Sequence, residues 1–222
     1  MLKSQIITHY KQAGNKAMAK PMAAYMQNRF EFFGIKTPER RAISKHLLHE
    51  LKTLSPKDTV DLAKSLWNEP QRELHYFAQE LLLQNFKKNF SVSDIEWMQW
   101  FIVHQSWWDT VDVIAPKLIA RYMKEFPQKR DDLVKKWISS DNIWLMRSAL
   151  LFQLKQKEQV DFQFLFSTIL KLNHTKEFFI NKAIGWVLRE YAKTNRELIY
   201  TFIENNRGKL SPLSVREGMK HA

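Results

Sequence analysis

The chain has 222 residues, 45% hydrophobic and 26% charged, enough apolar material for a core and too much for global disorder. Its 35 Lys and Arg outnumber 23 Asp and Glu for a net charge of +12, a surplus that suits a polyanionic partner. With no Cys, disulfides, thiol nucleophiles and cysteine-ligated zinc are excluded, and only 5 Gly and 7 Pro leave little for hairpin turns.

The opening "MLKSQIITHYKQAGNK" has no apolar signal core, and no 18-residue apolar run follows it, so a soluble protein is expected, cytoplasmic and nucleoid-associated. Apolar residues recur at helical spacing almost throughout, and no segment alternates as a strand would. Helix starts follow one another along the chain. "KTPERRAI" offers Thr37 as N-cap with Pro38 behind it, and "NEPQREL" repeats the device with Asn68 and Pro70. Ser106 precedes the next apolar helix, then Asp141 or Asn142, then Thr175, then Ser211 or Ser214. Pro116 cannot donate to the carbonyl of Asp112, which predicts a kink there. At the end, "GMKHA" stops before its helical pattern is complete, which predicts a short or trimmed terminal helix.

The starts recur with a period. Trp108, Trp144 and Phe179 are 36 and 35 residues apart, and Arg147, Lys182 and Arg216 are 35 and 34 apart. Arg72 lies 75 residues before Arg147, two repeats back, and Arg40 lies 32 before Arg72. This predicts an all-α fold, an α-solenoid of about six helix-pair repeats in a single domain over 1–222. Equivalent positions in a solenoid line one face. Arg40, Arg72, Arg147, Lys182 and Arg216 are therefore expected to form a positive stripe for phosphates in a concave groove. The beat misses one repeat, near Val111, where Asp112 stands instead. A carboxylate there opposes phosphate binding and needs a use.

At 100° per residue, Trp107, Val111, Ile114 and Leu118 share one face, the core stripe. Trp108 and Asp112 are one turn apart on a different face. Asp109, three residues after Ser106, is expected to serve the helix N-terminus. In "EFFINKAIGWVLREY" the apolar stripe is Ile180, Ile184, Val187 and Tyr191, while Trp186 falls with Lys182, Arg189 and Glu190 on the polar side. Glycosidic cleavage passes through an oxocarbenium-like sugar that a carboxylate can stabilise while positioning water. Electron-rich aromatic faces attract cations. A leaving base that is alkylated and already positive needs no acid to protonate it. One carboxylate, two tryptophans and phosphate-binding arginines then suffice. No HExxH, phosphate-cradling glycine loop or G-x-S-x-G offers another set.

"SWWDTVD", "SDNIWLMRSALLFQLK" and "KEFFINKAIGWVLREYAKTN" resemble the AlkD family of bacterial DNA alkylation-repair glycosylases, which are HEAT-like α-solenoids. The likeness extends to "PMAAYMQNRFEFFGIKTPERR" and "LSPLSVREGMKH", and so over nearly the whole chain. The resemblance implies excision of cationic 3-alkyladenine and 7-alkylguanine from duplex DNA without metal or cofactor, and a monomer is expected. It implies that Trp108 and Trp186 contact the lesion's sugar and backbone, that Asp112 supports the water and the sugar cation, and that Arg147 holds phosphate. Tyr25 matches an aromatic of the same cleft. The resemblance alone implies that the target base stays stacked during excision. Two other uses fit the fold: a non-catalytic solenoid that binds damaged or branched DNA, and a protein-interaction scaffold. Neither gives Asp112 a purpose.

Overall fold

A computed structural model describes residues 2–220 of the chain. Among these residues there is no β-strand; the one bridge, between Glu31 and Gln71, is isolated. Apolar stripes at a period of 3.6 residues drive helix pairing throughout, as the sequence predicts. The fold is all-α, built of the paired helices of an α-solenoid. Contacts group it into two compact units, residues 1–90 and 91–222.

The first unit holds α1 (Leu2–Gln12), α2 (Lys16–Tyr25), α3 (Thr37–Glu50), α4 (Pro56–Trp67) and α5 (Arg72–Asn85). Its core gathers Ile6, Tyr10, Leu66, Trp67, Leu74 and Phe77. The link from α2 to α3 is fixed by a buried carboxylate. Glu73 accepts from the backbone N–H groups of Phe33 at 3.1 Å, Gly34 at 2.9 Å and Ile35 at 3.2 Å. Three donors converge on one anion here because Gly34 takes a left-handed φ of 89°, where a side chain would also strike the Asn15 carbonyl.

The second unit holds α6 (Asp94–Val103), α7 (Trp108–Ile114), α8 (Ala120–Glu125), α9 (Arg130–Ile138), α10 (Ile143–Leu151), α11 (Phe162–Leu172), α12 (Phe178–Ala192), α13 (Arg196–Asn205) and α14 (Pro212–Gly218). Its central stripe is the predicted one: Ile180, Ile184, Val187 and Tyr191 of α12 are buried, as are Trp107, Val111, Ile114 and Leu118. Each fully buried aliphatic side chain contributes about 1.5–3 kcal/mol relative to exposure.

Several helix starts are as read. Asn142 accepts from the N–H groups of Trp144 and Leu145, and Ser211 from that of Ser214. Others differ. Thr37 is already the first residue of α3, whose N-cap is Lys36, and Asn68 closes α4 instead of opening α5. Thr175 accepts from the N–H of Glu177, which caps α12 two residues later than expected. Ser106 donates to the carbonyl of Ile102, 2.7 Å away, and so finishes α6 while Trp107 becomes the N-cap of α7. At Pro116 the chain runs through a π-helical turn, Ala115–Ile119, that joins α7 to α8. The missing N–H of Pro116 is absorbed there by widening one turn.

Candidate catalytic carboxylate and nucleic-acid interface

Helices α7, α10, α12 and α14 of the second unit each carry a charged side chain at an equivalent position. Asp112, Arg147, Lys182 and Glu217 follow one another at intervals of 35 residues. The outer two are acids and the inner two bases, and each base is paired with the acid on its outer side. Arg147 donates from Nε and Nη2 to the two oxygens of Asp112, at 2.7 and 2.8 Å. Lys182 Nζ lies 2.9 Å from Glu217 Oε1.

The first pair is largely buried: the side chain of Arg147 is 4% exposed and that of Asp112 is 16% exposed. Arg147 spends its third nitrogen on the carbonyl of Phe179, so its guanidinium is held from two repeats at once. The arrangement is planar and bidentate, which fixes the direction of the carboxylate. Burial pushes the Asp112 carboxyl above the usual carboxylate range, and the guanidinium of Arg147 opposes that shift. Each carboxylate oxygen uses one acceptor position on Arg147 and keeps another.

Trp107 and Trp108 part company at the start of α7. The extended backbone of Trp107 turns its ring inward, where it packs 5.5 Å from the Trp144 ring and 5.0 Å from that of Phe179. It is buried, as its place on the core stripe predicts. Trp108, the first residue of α7 and one turn before Asp112, is half-buried. Trp186 is also half-buried; it leans on the edge of the core that its helix covers, closer to the apolar side than its polar neighbours in sequence suggest.

Around Trp186 lies a second cluster. Lys182, Trp186 and Arg189 are one turn apart along α12, and Glu217 of α14 reaches both cations, with Arg189 Nη1 at 2.5 Å. Gly185 permits this approach, since a Cβ there would lie 2.5 Å from that of Glu217. Ser214 Oγ donates to the carbonyl of Asn181 and locks the same two helices. The contacts from Lys182, and then from Arg189, hold the Glu217 carboxyl down to about 2 against the opposing effect of burial.

The predicted stripe of five exposed bases is not what these residues form. Arg72 is fully buried, its guanidinium 3.8 Å over the Phe30 ring and 2.8 Å from His75 Nδ1. Arg40 is buried and paired with Glu80 at 2.9 Å. Arg147 is buried against Asp112. Each serves internal packing, because an arginine at a repeat position bridges neighbouring helices as readily as it faces solvent. Lys182 is partly exposed, and Arg216 is exposed one residue before the equivalent position. Tyr25, at the end of α2 in the first unit, is 73% exposed. Sequence reasoning chose Arg216 for its charge and missed Glu217, whose interval of 35 from Lys182 matches the two before it.

A family model for DNA alkylation repair enzymes matches residues 6–222. The chain belongs to that family. Its fold is similar to the solved structure of a predicted DNA alkylation repair enzyme from Enterococcus faecalis, with a TM-score of 0.85 and 34% identity over 94% of this chain and 96% of that one. A search of curated proteins gives no match. Among the described residues of this DNA alkylation repair enzyme, no three His, Asp or Glu side chains group as metal ligands would, and no helix is long and apolar enough to cross a membrane.

Proposed function

We propose that this DNA alkylation repair enzyme is a monofunctional glycosylase that hydrolyses the N-glycosidic bond of cationic alkylated purines, 3-alkyladenine and 7-alkylguanine, in duplex DNA. The observation that carries the reading is the Asp112 carboxylate, on the helix that Trp108 begins, aimed by two bonds from the buried Arg147 of α10. An alkylated purine leaves as a neutral base, and positive charge then builds on the sugar. At about 4 Å, opposite charges near a protein surface attract by ~4 kcal/mol. The free acceptor positions of Asp112 serve the sugar cation and the attacking water. Water adds its oxygen to C1′, the base departs with the bonding pair, and the carboxylate takes the released proton on its way to solvent. The faces of Trp108 and Trp186 favour the same cation. Lys182 and Arg216 meet phosphates, with Tyr25 against the backbone, and the enzyme acts as a monomer in the cytoplasm on nucleoid DNA.

The test is base release from methylated duplex DNA, read as strand scission after alkaline heating, with an equal amount of unmethylated duplex alongside. Scission confined to methylated DNA and abolished in Asp112→Asn supports the reading. DNA binding without release points to a non-catalytic DNA-binding solenoid instead.

A further inference from the structure

Glu217 has no part in the chemistry above, yet it pairs with two cations at once. It is 12% exposed, is ion-paired to Lys182 at 2.9 Å and to Arg189 at 2.5 Å, and is brought within reach by a glycine in the facing helix. The two cations bracket Trp186, one turn before and one turn after it on α12. An acid at this place reduces the attraction of both for phosphate. It also holds two long, flexible side chains in one arrangement around the indole.

We infer that Glu217 is a positioning residue that restrains Lys182 and Arg189 beside Trp186, lowering affinity for ordinary duplex DNA so that binding depends on the fit at a lesion. The inference rests on the proposed reading of this face as the DNA-binding one. Ion pairs among partly exposed groups are weak and exchangeable. Phosphates therefore compete with Glu217 for the two cations. A duplex seated well enough to present phosphates at both flanks of Trp186 displaces the carboxylate from them; a loosely held one does not. Specificity here is a difference of affinities, and a built-in competitor acts most strongly against the weaker binder.

The experiment is a salt titration of duplex binding by the parent and Glu217→Gln, with unmodified DNA and with DNA carrying an abasic-site analogue. The neutral amide keeps the shape and frees both cations. Binding of unmodified duplex is expected to tighten several-fold at low salt. The log–log salt slope is expected to steepen by about 0.9 for each phosphate newly neutralised, up to two. The ratio of affinities for damaged over unmodified duplex is expected to fall. A purely structural role for Glu217 would move the thermal midpoint and leave the slope alone. An unchanged slope and ratio in a folded variant overturn the inference, while failure of the parent itself to bind duplex at low salt overturns the DNA-binding reading beneath it. Where Glu217→Gln does not fold, Glu217→Asp decides. It keeps the charge but is too short to span both cations, and a slope equal to the parent's overturns the inference in the same way.

Discussion

Arg147 holds both oxygens of Asp112, and it does so from beneath, with its own side chain almost wholly out of solvent. The carboxylate is thus aimed in a place where burial raises its carboxyl and the guanidinium opposes that shift. Asp112→Asn preserves size and one of the two acceptors for Arg147 but removes the charge. Duplex binding is expected to be as strong as the parent's, or stronger, while single-turnover release of 7-methylguanine falls at least about a hundredfold, which is ~2.7 kcal/mol of barrier. Asp109→Asn, in the first turn of α7, is expected to cost far less. Undiminished release by Asp112→Asn would remove the carboxylate from the mechanism.

Arg147→Met is expected to destabilise the fold, because it leaves an anion buried without a partner. Breaking such a pair costs about 3–5 kcal/mol. The Asp112 carboxyl, already raised by burial, loses the guanidinium that opposes the shift and rises further. Release requires the ionised form, so the acid limb of the rate profile should move to higher pH in the variant. Arg147→Lys should not restore it, since one ammonium cannot make the two-point contact. Rates from pH 5 to 9 at constant ionic strength, beside a thermal melt, measure both effects.

The adjacent tryptophans separate function from folding. Trp107→Ala opens a hole between Trp144 and Phe179 and is expected to cost roughly 3–5 kcal/mol. Trp108→Ala and Trp186→Ala remove half-buried rings, so a smaller drop in melting temperature with a larger drop in base release is expected. A Trp108→Ala protein that unfolds while Trp107→Ala stays intact would reverse the assignment.

Arg72 and Arg216 should behave oppositely. Arg72→Gln takes a buried guanidinium off the Phe30 ring and is expected to lower the melting point of the first unit. Arg216→Gln is expected to leave the melt unchanged and to flatten the salt slope of duplex binding by about 0.9 if it meets one phosphate. Melting curves and salt titrations of the two variants side by side tell a packing arginine from a phosphate-binding one.

Glu217 gives the second unit an acid-sensitive contact. Its carboxyl is held at about 2, below the ordinary 4.5, so the folded state binds that proton less readily than the unfolded chain. The resulting stability is present above about pH 4.5 and is lost as pH falls toward 2. Asp112 works the other way, because its raised carboxyl makes ionisation costly to the fold as pH rises through its range. Thermal midpoints between pH 5 and 2.5 should fall less steeply for Glu217→Gln than for the parent.

Much of this was legible in the sequence. The stripes of α7 and α12 follow from helical period alone; the burial of Trp107 agrees with that stripe, though its extended N-cap backbone and not helical phase turns the ring inward. Asn142 and Ser211 declare themselves as caps because their side chains are short acceptors before apolar runs. Ser106 does not, because the same hydroxyl can finish the preceding helix, and only the path of the chain decides between the two. The period near 35 also carried the basic beat, but a period says that residues are equivalent, not that they face water. Arg40, Arg72 and Arg147 are buried because each has an internal partner, Glu80, the Phe30 ring or Asp112, that lies 35 to 42 residues away in sequence or on a loop with no pattern of its own.

Asp112, Arg147, Lys182 and Glu217 carry charges in the order minus, plus, plus, minus. Such a row has neither net charge nor, when evenly spaced, a dipole; its leading moment is a quadrupole, whose potential dies away much faster than that of a single ion. At distances beyond its own length the row therefore contributes little potential. Attraction at a distance must come from the rest of the +12, spread over side chains outside the row. On the DNA-binding reading proposed above, capture and inspection would fall to different charges: the outlying lysines and arginines would set how often DNA arrives, and the row would act only once contact is made.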